Sequence, residues 1–397
     1  MIEFREMRLG EIFDIEDGDR GVNYPKQNEF LDEGYCLFLN AGNVTQRGFL
    51  FSDNQFITIE KDQRLRKGKL CRNDIVVTTR GTVGNVAYYD SSVEYDNIRI
   101  NSGMVILRNH KGVSNTRYLY QYLRSPIVQS LIKLYSSGSA QPQLPIRDLK
   151  RIKLSLPNLE VQNSIANALS AYDDLIENNN RRIALLEKAA QELYKEWFVR
   201  FRFPSHETVK FENGIPENWR ISTVKETFDI FDTKRIPLSS MDRDKMRKVY
   251  PYYGAAELMD YVDDYIFDGI YLLLGEDGSV ITPAGKPVLQ YVWGRMWVNN
   301  HAHVLQGKSP YSTEYLHLMF GQMDITGIVT GAAQPKISQG RLLKKKTILP
   351  TNDLILKFDS FIQPMYKSIR QLREANRNLA KQRDLLLPRL MSGKLEV

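Results

Sequence analysis

The stretch IANALSAYDDLIENNNRRIALLEKAAQELYKEW, residues 165–197, contains neither proline nor glycine. A series with alternating steps of four and three runs through it: Ile165, Leu169, Tyr172, Ile176, Asn179, Ile183, Leu186, Ala190, Leu193 and Trp197. Only Asn179 in that series is polar. A strict 4-3 alternation is the a/d seam of a coiled coil, narrower than the stripe of an ordinary surface helix. Adding 193 to each position gives Phe358, Ile362, Met365, Ile369, Leu372, Asn376, Leu379, Arg383, Leu386 and Leu390, of which eight in ten are apolar. The chain therefore holds two long helices in one register.

Outward from the helices the same offset continues. Gly138-Ser-Ala-Gln-Pro-Gln-Leu144 returns as Gly331-Ala-Ala-Gln-Pro-Lys-Ile337, and Leu156-Pro157 returns as Leu349-Pro350. Farther upstream Phe13-Asp14-Ile15 returns as Phe228-Asp229-Ile230 and Tyr118-Leu119 as Tyr315-Leu316, at other offsets. A long unit with a variable front and a rigid back is a tandem domain repeat, not a short-period solenoid. The fronts, 1–156 and 204–349, carry β-type runs such as Asp74–Thr79, Met104–Leu107 and Ile270–Leu274 between turn signals. A helix over Thr116–Tyr135, with a counterpart over Thr313–Met323, completes each front. The backs, 157–203 and 350–397, are the helices. Pro157 and Pro350 suit helix starts, while Pro364 and Pro388 are expected to disturb the second helix.

The fold class is thus α+β: two domains in tandem pseudo-two-fold repeat, separated by two long helices. Connectivity makes the pair antiparallel, because the second helix leaves the second domain and must run back along the first. Aligning Ile165 with Leu390 sets Asn179 opposite Asn376, a pair expected to fix register, unless both amides lie at a solvated edge. The seam Ile165–Trp197 spans about 48 Å at the rise of an α-helix.

Composition is that of a globular protein, with 25% charged and 42% apolar residues. The net charge of +7 suits a polyanionic partner. No apolar run reaches membrane-spanning length, and MIEFREMRLG at the start lacks a signal-peptide pattern. Cys36 and Cys71 are expected as buried free thiols in a cytoplasmic protein.

Candidate contacts for a polyanion such as a nucleic acid lie in glycine-bearing or basic loops. Thr79-Arg-Gly-Thr-Val-Gly84 follows a predicted strand, with Arg80 and Thr82 at its tip, and Arg80 has the fork that fits guanine or phosphate. Gly275-Glu-Asp-Gly-Ser279 sits in a similar place but is acidic. Gln141, Gln334 and Lys336 belong to the repeated loop; a glutamine shared by two otherwise diverged domains is expected to position the chain rather than to specify. Lys61 and Arg64 lie in the basic run Lys61–Lys69, and Lys344 opens Lys344-Lys-Lys346. Each run suits either phosphate contact or a solvated surface. His301-Ala-His303 lacks further close ligands, so no metal site is expected. Methyltransferase Pro-Pro-Tyr or Pro-Pro-Phe and a complete phosphate loop are missing from the sequence.

The segment Leu186-Glu-Lys-Ala-Ala-Gln-Glu-Leu-Tyr-Lys-Glu-Trp-Phe-Val-Arg-Phe-Arg-Phe-Pro204 resembles the central conserved helix of type I restriction–modification specificity subunits. Gln382-Arg-Asp-Leu-Leu-Leu-Pro-Arg-Leu-Met-Ser-Gly-Lys-Leu395 resembles the distal conserved end of the same family, and Gly-Ser-Ala-Gln-Pro with its copy resembles the close of each target-recognition domain. The resemblance implies a non-catalytic subunit whose two domains, 1–156 and 204–349, each read half of a bipartite, asymmetric DNA site. It implies that the helices at 157–203 and 350–397 are spacers and docking surfaces for two methyltransferase (modification) subunits, which restriction/translocase subunits then join. S-adenosylmethionine, ATP and Mg would sit on those partners, in a prokaryotic cytoplasm. The rival reading is a coiled-coil adaptor that binds protein without sequence-specific DNA binding; a single-chain restriction–methylation enzyme is opposed by the missing motifs.

Overall fold

The structure is a computed structural model that describes residues 3–395 except Arg47, Lys111, Val113, Ser139, Ala140 and Ala332. Part of the repeated loop, Ser139, Ala140 and Ala332, thus lies outside the described residues. The chain divides into two compact units, Met1–Asn178 with Ala375–Val397, and Asn179–Glu374. Each unit takes a front domain and half of both long helices, so the helices are not a body of their own.

In the first unit a four-stranded antiparallel sheet has the order Phe13–Asp17, Met104–Asn109, Ile75–Thr78, Val86–Tyr88. Its central strands are buried on both faces, which is why Ile75-Val-Val77 reads as a continuous apolar run. Ile75, Val77, Val105 and Leu107 pack on Tyr118, Leu119 and Leu123 of a helix and on Ile165, Leu169 and Leu390. Val76, Met104 and Ile106 pack the other way, on Leu37, Leu39, Ile98 and Ile100 of a small second sheet. The strand Arg5–Arg8 pairs antiparallel with Lys153–Leu156 just before the central helix.

The second unit repeats this frame. Phe228–Ile230, Ala302–Gly307, Phe267–Gly275 and Leu289–Val298 are neighbours in that order, and Tyr250–Tyr253 and Leu258–Val262 extend the sheet to six strands. Arg220–Thr223 pairs with Lys346–Leu349. Leu272, Leu274 and Leu305 meet Tyr315, Leu316 and Phe320, and beyond them Ile183, Tyr194, Trp197, Phe358 and Ile362.

One expected helix is two. Thr116–Arg124 and Pro126–Tyr135 are separated at Ser125, whose ψ of 150° is extended. Pro126 disfavours helical geometry in the residue before it, and Ser125 then caps the second helix by accepting from the Val128 N–H at 3.4 Å. The second-unit counterpart is a single helix, Thr313–Gln322.

The central helix runs Leu159–Tyr194 and continues as one π turn, Lys195–Val199. The C-terminal helix runs Asn352–Met391, and neither Pro364 nor Pro388 ends it. Pairing is antiparallel within each unit. In the first, Asn376 Nδ2 donates to the Ile176 carbonyl at 3.5 Å, and Arg383 is paired with Asp173 farther along. In the second, Arg373 meets Glu187 at 2.6 Å, and Trp197 packs on Phe358 with ring centroids 5.4 Å apart. Of the seam residues, Ile165, Leu169, Ile183, Ala190, Trp197, Phe358, Ile362, Ile369 and Leu390 are buried. Ile176, Asn179, Leu186, Leu193, Leu372, Asn376, Leu379 and Leu386 are half-buried.

The thiols differ from expectation in one respect. Cys36 is buried in a strand, but Cys71 is exposed, because it opens the turn Cys71–Asp74 in which its N–H donates to Asp74 at 2.7 Å. Burial pushes the Cys36 thiol up to about 12.

Candidate nucleic-acid interface

In the first unit the strands Ile75–Thr78 and Val86–Tyr88 form a hairpin whose connection is the predicted loop Thr79–Gly84. Gly81 and Gly84 have φ of 72° and 95°, which suits glycine. Gln143 and Leu144 of the repeated loop dock against this hairpin. The Leu144 N–H donates to the Thr79 carbonyl at 2.9 Å, and Arg80 bridges Gln143. Ser137 and Gln143 exchange two backbone bonds of 2.9 Å, closing the loop on itself. From the other side the Thr79 N–H donates to the Gly103 carbonyl at 2.8 Å.

The second unit has the same bonds at equivalent residues. Ile337 N–H donates to the Glu276 carbonyl and Glu276 N–H to the His301 carbonyl, both at 2.8 Å. Asp277 bridges Lys336, and Lys336 exchanges two bonds with Thr330. Position by position, Thr79 corresponds to Glu276, Arg80 to Asp277, Gly103 to His301 and Gln143 to Lys336. The glycine that opens the repeated loop is required in both. Gly138 has φ 91° and a Cβ there would come within 2.7 Å of the Gln141 carbonyl; Gly331 has φ 84° and a Cβ would strike the Gln334 carbonyl. The recurrence of Gly-x-Ala-Gln-Pro is thus a turn requirement as well as a candidate contact.

The side chains on this frame diverge. Arg80, Thr82, Gln141 and Gln334 are exposed. Asp277 is hydrogen-bonded to His301 Nδ1. Lys336 reaches Glu276 at 3.5 Å but stays half exposed.

A pair the sequence reading missed lies beside each loop. Asp17 and Arg20 recur as Asp232 and Arg235, at the 215-residue offset that already relates Phe13 to Phe228. Both arginines turn back on the aspartate three residues earlier, at 3.9 Å and 3.5 Å. Arg20 Nη2 donates to the Ser102 carbonyl at 3.3 Å, and Arg235 Nη1 to the equivalent Asn300 carbonyl at 3.4 Å. Their exposure differs, 48% of the Arg20 side chain against 11% for Arg235. The cause is Glu276, which holds Arg235 at 2.7 Å, whereas the first unit has uncharged Thr79 there. Extending the Phe-Asp-Ile match by five residues would have found this pair.

The basic run is less available than its composition suggests. Lys61 is bound to Glu29 at 2.8 Å with 13% of its side chain exposed, Lys67 lies 3.5 Å from Asp17, and Lys69 lies 2.5 Å from Asp62. Arg64 and Arg66 remain exposed. Asn23 donates to the Arg64 carbonyl at 3.1 Å, and the Arg66 N–H donates to Asp19 at 2.8 Å, so the loop carrying Arg20 ties this turn to the hairpin side. Lys344 is exposed at the end of the short helix Gln339–Lys344, apart from the loop bonds above.

His301 and His303 do not act together. His301 faces Asp277, while His303 is fully buried between Asp232, 2.6 Å from Nδ1, and the Ile337 carbonyl, 2.8 Å from Nε2. Asp232, Glu276 and His303 place one ligand atom each within 4.8 Å of one another. The Arg235 guanidinium already lies among these half-buried carboxylates and balances their charge. The group is read as a structural clamp between sheet and loop.

Two domains of one fold, each with a diverged loop station on a shared backbone frame, define a tandem recognition module. Comparison with known proteins gives its family: residues 1–188 and 216–358 match the type I restriction modification DNA specificity domain, and the chain belongs to that family. It is 26% identical over 352 residues to the type I restriction enzyme MjaIX specificity subunit of Methanocaldococcus jannaschii, covering 82% of this chain and 78% of that one. It is also 26% identical over 326 residues to the MjaVIII specificity subunit of the same organism, covering 75% and 74%. The fold is that of the crystallised type I restriction–modification S subunit of M. genitalium, with a TM-score of 0.58 at 18% identity over 98% of this chain and 96% of that one. Among the described residues no helix is long and apolar enough to cross a membrane.

Proposed function

We propose that this chain is the DNA-reading, non-catalytic subunit of a type I restriction–modification complex, and that its two units read the two halves of a bipartite, asymmetric site. The observation that carries this is the loop station: one set of backbone hydrogen bonds in both units, with Arg80 and Gln143 on it in one and Asp277 and Lys336 in the other. A shared frame with different tips suits two readers of different sequences. The paired helices serve as spacer and as the surface on which two methyltransferase subunits dock, with restriction/translocase subunits joining them. S-adenosylmethionine, ATP and Mg are assigned to those partners, and methyl transfer and cleavage with them.

The test is a DNA titration of the purified chain, alone and with its methyltransferase subunits, between about 50 and 200 mM salt. The proposal expects log affinity to fall linearly with log salt and one duplex sequence to be preferred at every salt. Binding that ignores both salt and sequence would favour a protein-binding adaptor.

A further inference from the structure

Resting on the DNA-reading role proposed above, we infer that the station held by Arg80 in the first unit and Asp277 in the second faces base edges, not phosphates, and sets one base of each half-site. The two residues are equivalent by backbone pairing: Arg80 bridges Gln143 as Asp277 bridges Lys336. They follow residues whose N–H groups bond equivalent carbonyls, those of Gly103 and His301, and whose own carbonyls accept from Leu144 and Ile337. The phosphate backbone of a duplex has one charge whatever its sequence. A station that met phosphate would have to be neutral or basic in both units. Here it is a cation in one and an anion in the other, and only the base edges of DNA offer acceptors at one sequence and donors at another.

The chemistry then follows for each half. Arg80 is exposed, and its guanidinium has no hydrogen-bond or ion-pair partner among the described residues. Its fork matches the O6/N7 edge of guanine. Asp277 is an acceptor, held in place by His301, and matches an exocyclic amine, N4 of cytosine or N6 of adenine. Gly103 in the first unit stands where His301 stands in the second, so the orienting ring is present only where the acid is. Arg20 adds a second exposed cation on the same side of the first unit's loop; its counterpart Arg235 is drawn inward by Glu276, which leaves Lys336 as the exposed cation at the second station. Gln141 and Gln334, identical in both units, fall to the positioning class.

The experiment maps methylated adenines in the native host carrying Arg80→Ala, Arg80→Lys, Asp277→Asn or Gln141→Ala, with melting curves of each purified chain. Arg80 and Gln141 are exposed and Asp277 is partly so, and Asn keeps an oxygen that can accept from His301, so unchanged melting is expected. Arg80→Ala and Asp277→Asn should each relax one base, in different halves of the motif, with discrimination there falling about tenfold or more. Arg80→Lys should also lose guanine preference, because an ammonium lacks the fork. Gln141→Ala should lower methylation at all sites alike and leave the motif intact. Uniform loss with an intact motif for Arg80→Ala or Asp277→Asn would overturn the inference and leave the DNA-reading role standing. A methylation pattern indifferent to deletion of the whole gene would overturn that role as well.

Discussion

Replacing Arg370 with methionine removes the cation from a buried acid and leaves the acid behind. Glu314, on the helix Thr313–Gln322, is 3% exposed, and Arg370 of the C-terminal helix meets it at 2.7 Å. Tyr291 OH donates to the same carboxylate at 2.6 Å and Gln363 Nε2 at 2.9 Å. Burial pushes the Glu314 carboxyl up, but hydrogen bonds from Tyr291, Gln363, its own backbone and Arg370 together hold it below its ordinary value. Breaking a buried pair from one side costs about 3–5 kcal/mol. Two neutral donors stay with Glu314, so the lower end applies, about 3 kcal/mol, or about 6–12 °C in melting temperature for a unit of this size.

The pH dependence has a fixed sign. A carboxylate with a depressed folded pKa contributes stability above its unfolded pKa and loses it as pH falls through the folded value. Without Arg370 the Glu314 pKa rises, so the deficit of the variant is largest near neutrality and shrinks in acid. Urea unfolding of the full chain at pH 7 and near pH 4 measures both quantities. Adding Glu314→Gln to Arg370→Met should recover most of the loss, since no charge is then stranded. A variant as stable as the wild type at pH 7, or a deficit that does not change with pH, would refute the reasoning.

Other outcomes follow from single contacts. His317, whose Nδ1 lies 2.8 Å from Tyr366 OH, is held down at about 4 by burial and by Arg373. Its neutral form is therefore part of the fold, and stability should fall as pH drops from about 6.5 toward 4; His317→Phe should flatten that limb in acid titrations followed by circular dichroism. Trp197→Ala removes a ring that is 5% exposed and packs on Phe358 and Phe361, and should cost about 3–5 kcal/mol in chemical denaturation. A thiol reagent should modify Cys71 in the native protein, with Cys36 reacting only after unfolding; two fast thiols in the native state would contradict the burial of Cys36.

What could be read without coordinates was local or periodic. The seam from Ile165 to Trp197 and the repeated Gly-x-Ala-Gln-Pro loop announce themselves by spacing, and the α+β frame follows from β-type runs between turn signals. The split of one helix at Ser125 was legible too, since Pro126 restricts the residue before it. Partnerships distant in sequence were not legible. Lys61 looks like a phosphate contact until Glu29 comes alongside, and Arg20 stands out only once it reaches across to Ser102. The equivalence of Arg80 with Asp277 needed strand register, because the offset between units changes from 215 in the Phe-Asp-Ile strands to 193 in the repeated loop.

The central claim is that this chain decides which DNA sequence its complex marks. Methylated adenines mapped in the native host, with and without the gene, test it most directly. One split, asymmetric motif should lose methylation on deletion, and exchange of residues 1–156 for another family member's domain should alter only one half of it. Persistence of every methylated motif in the deletion strain would contradict the account.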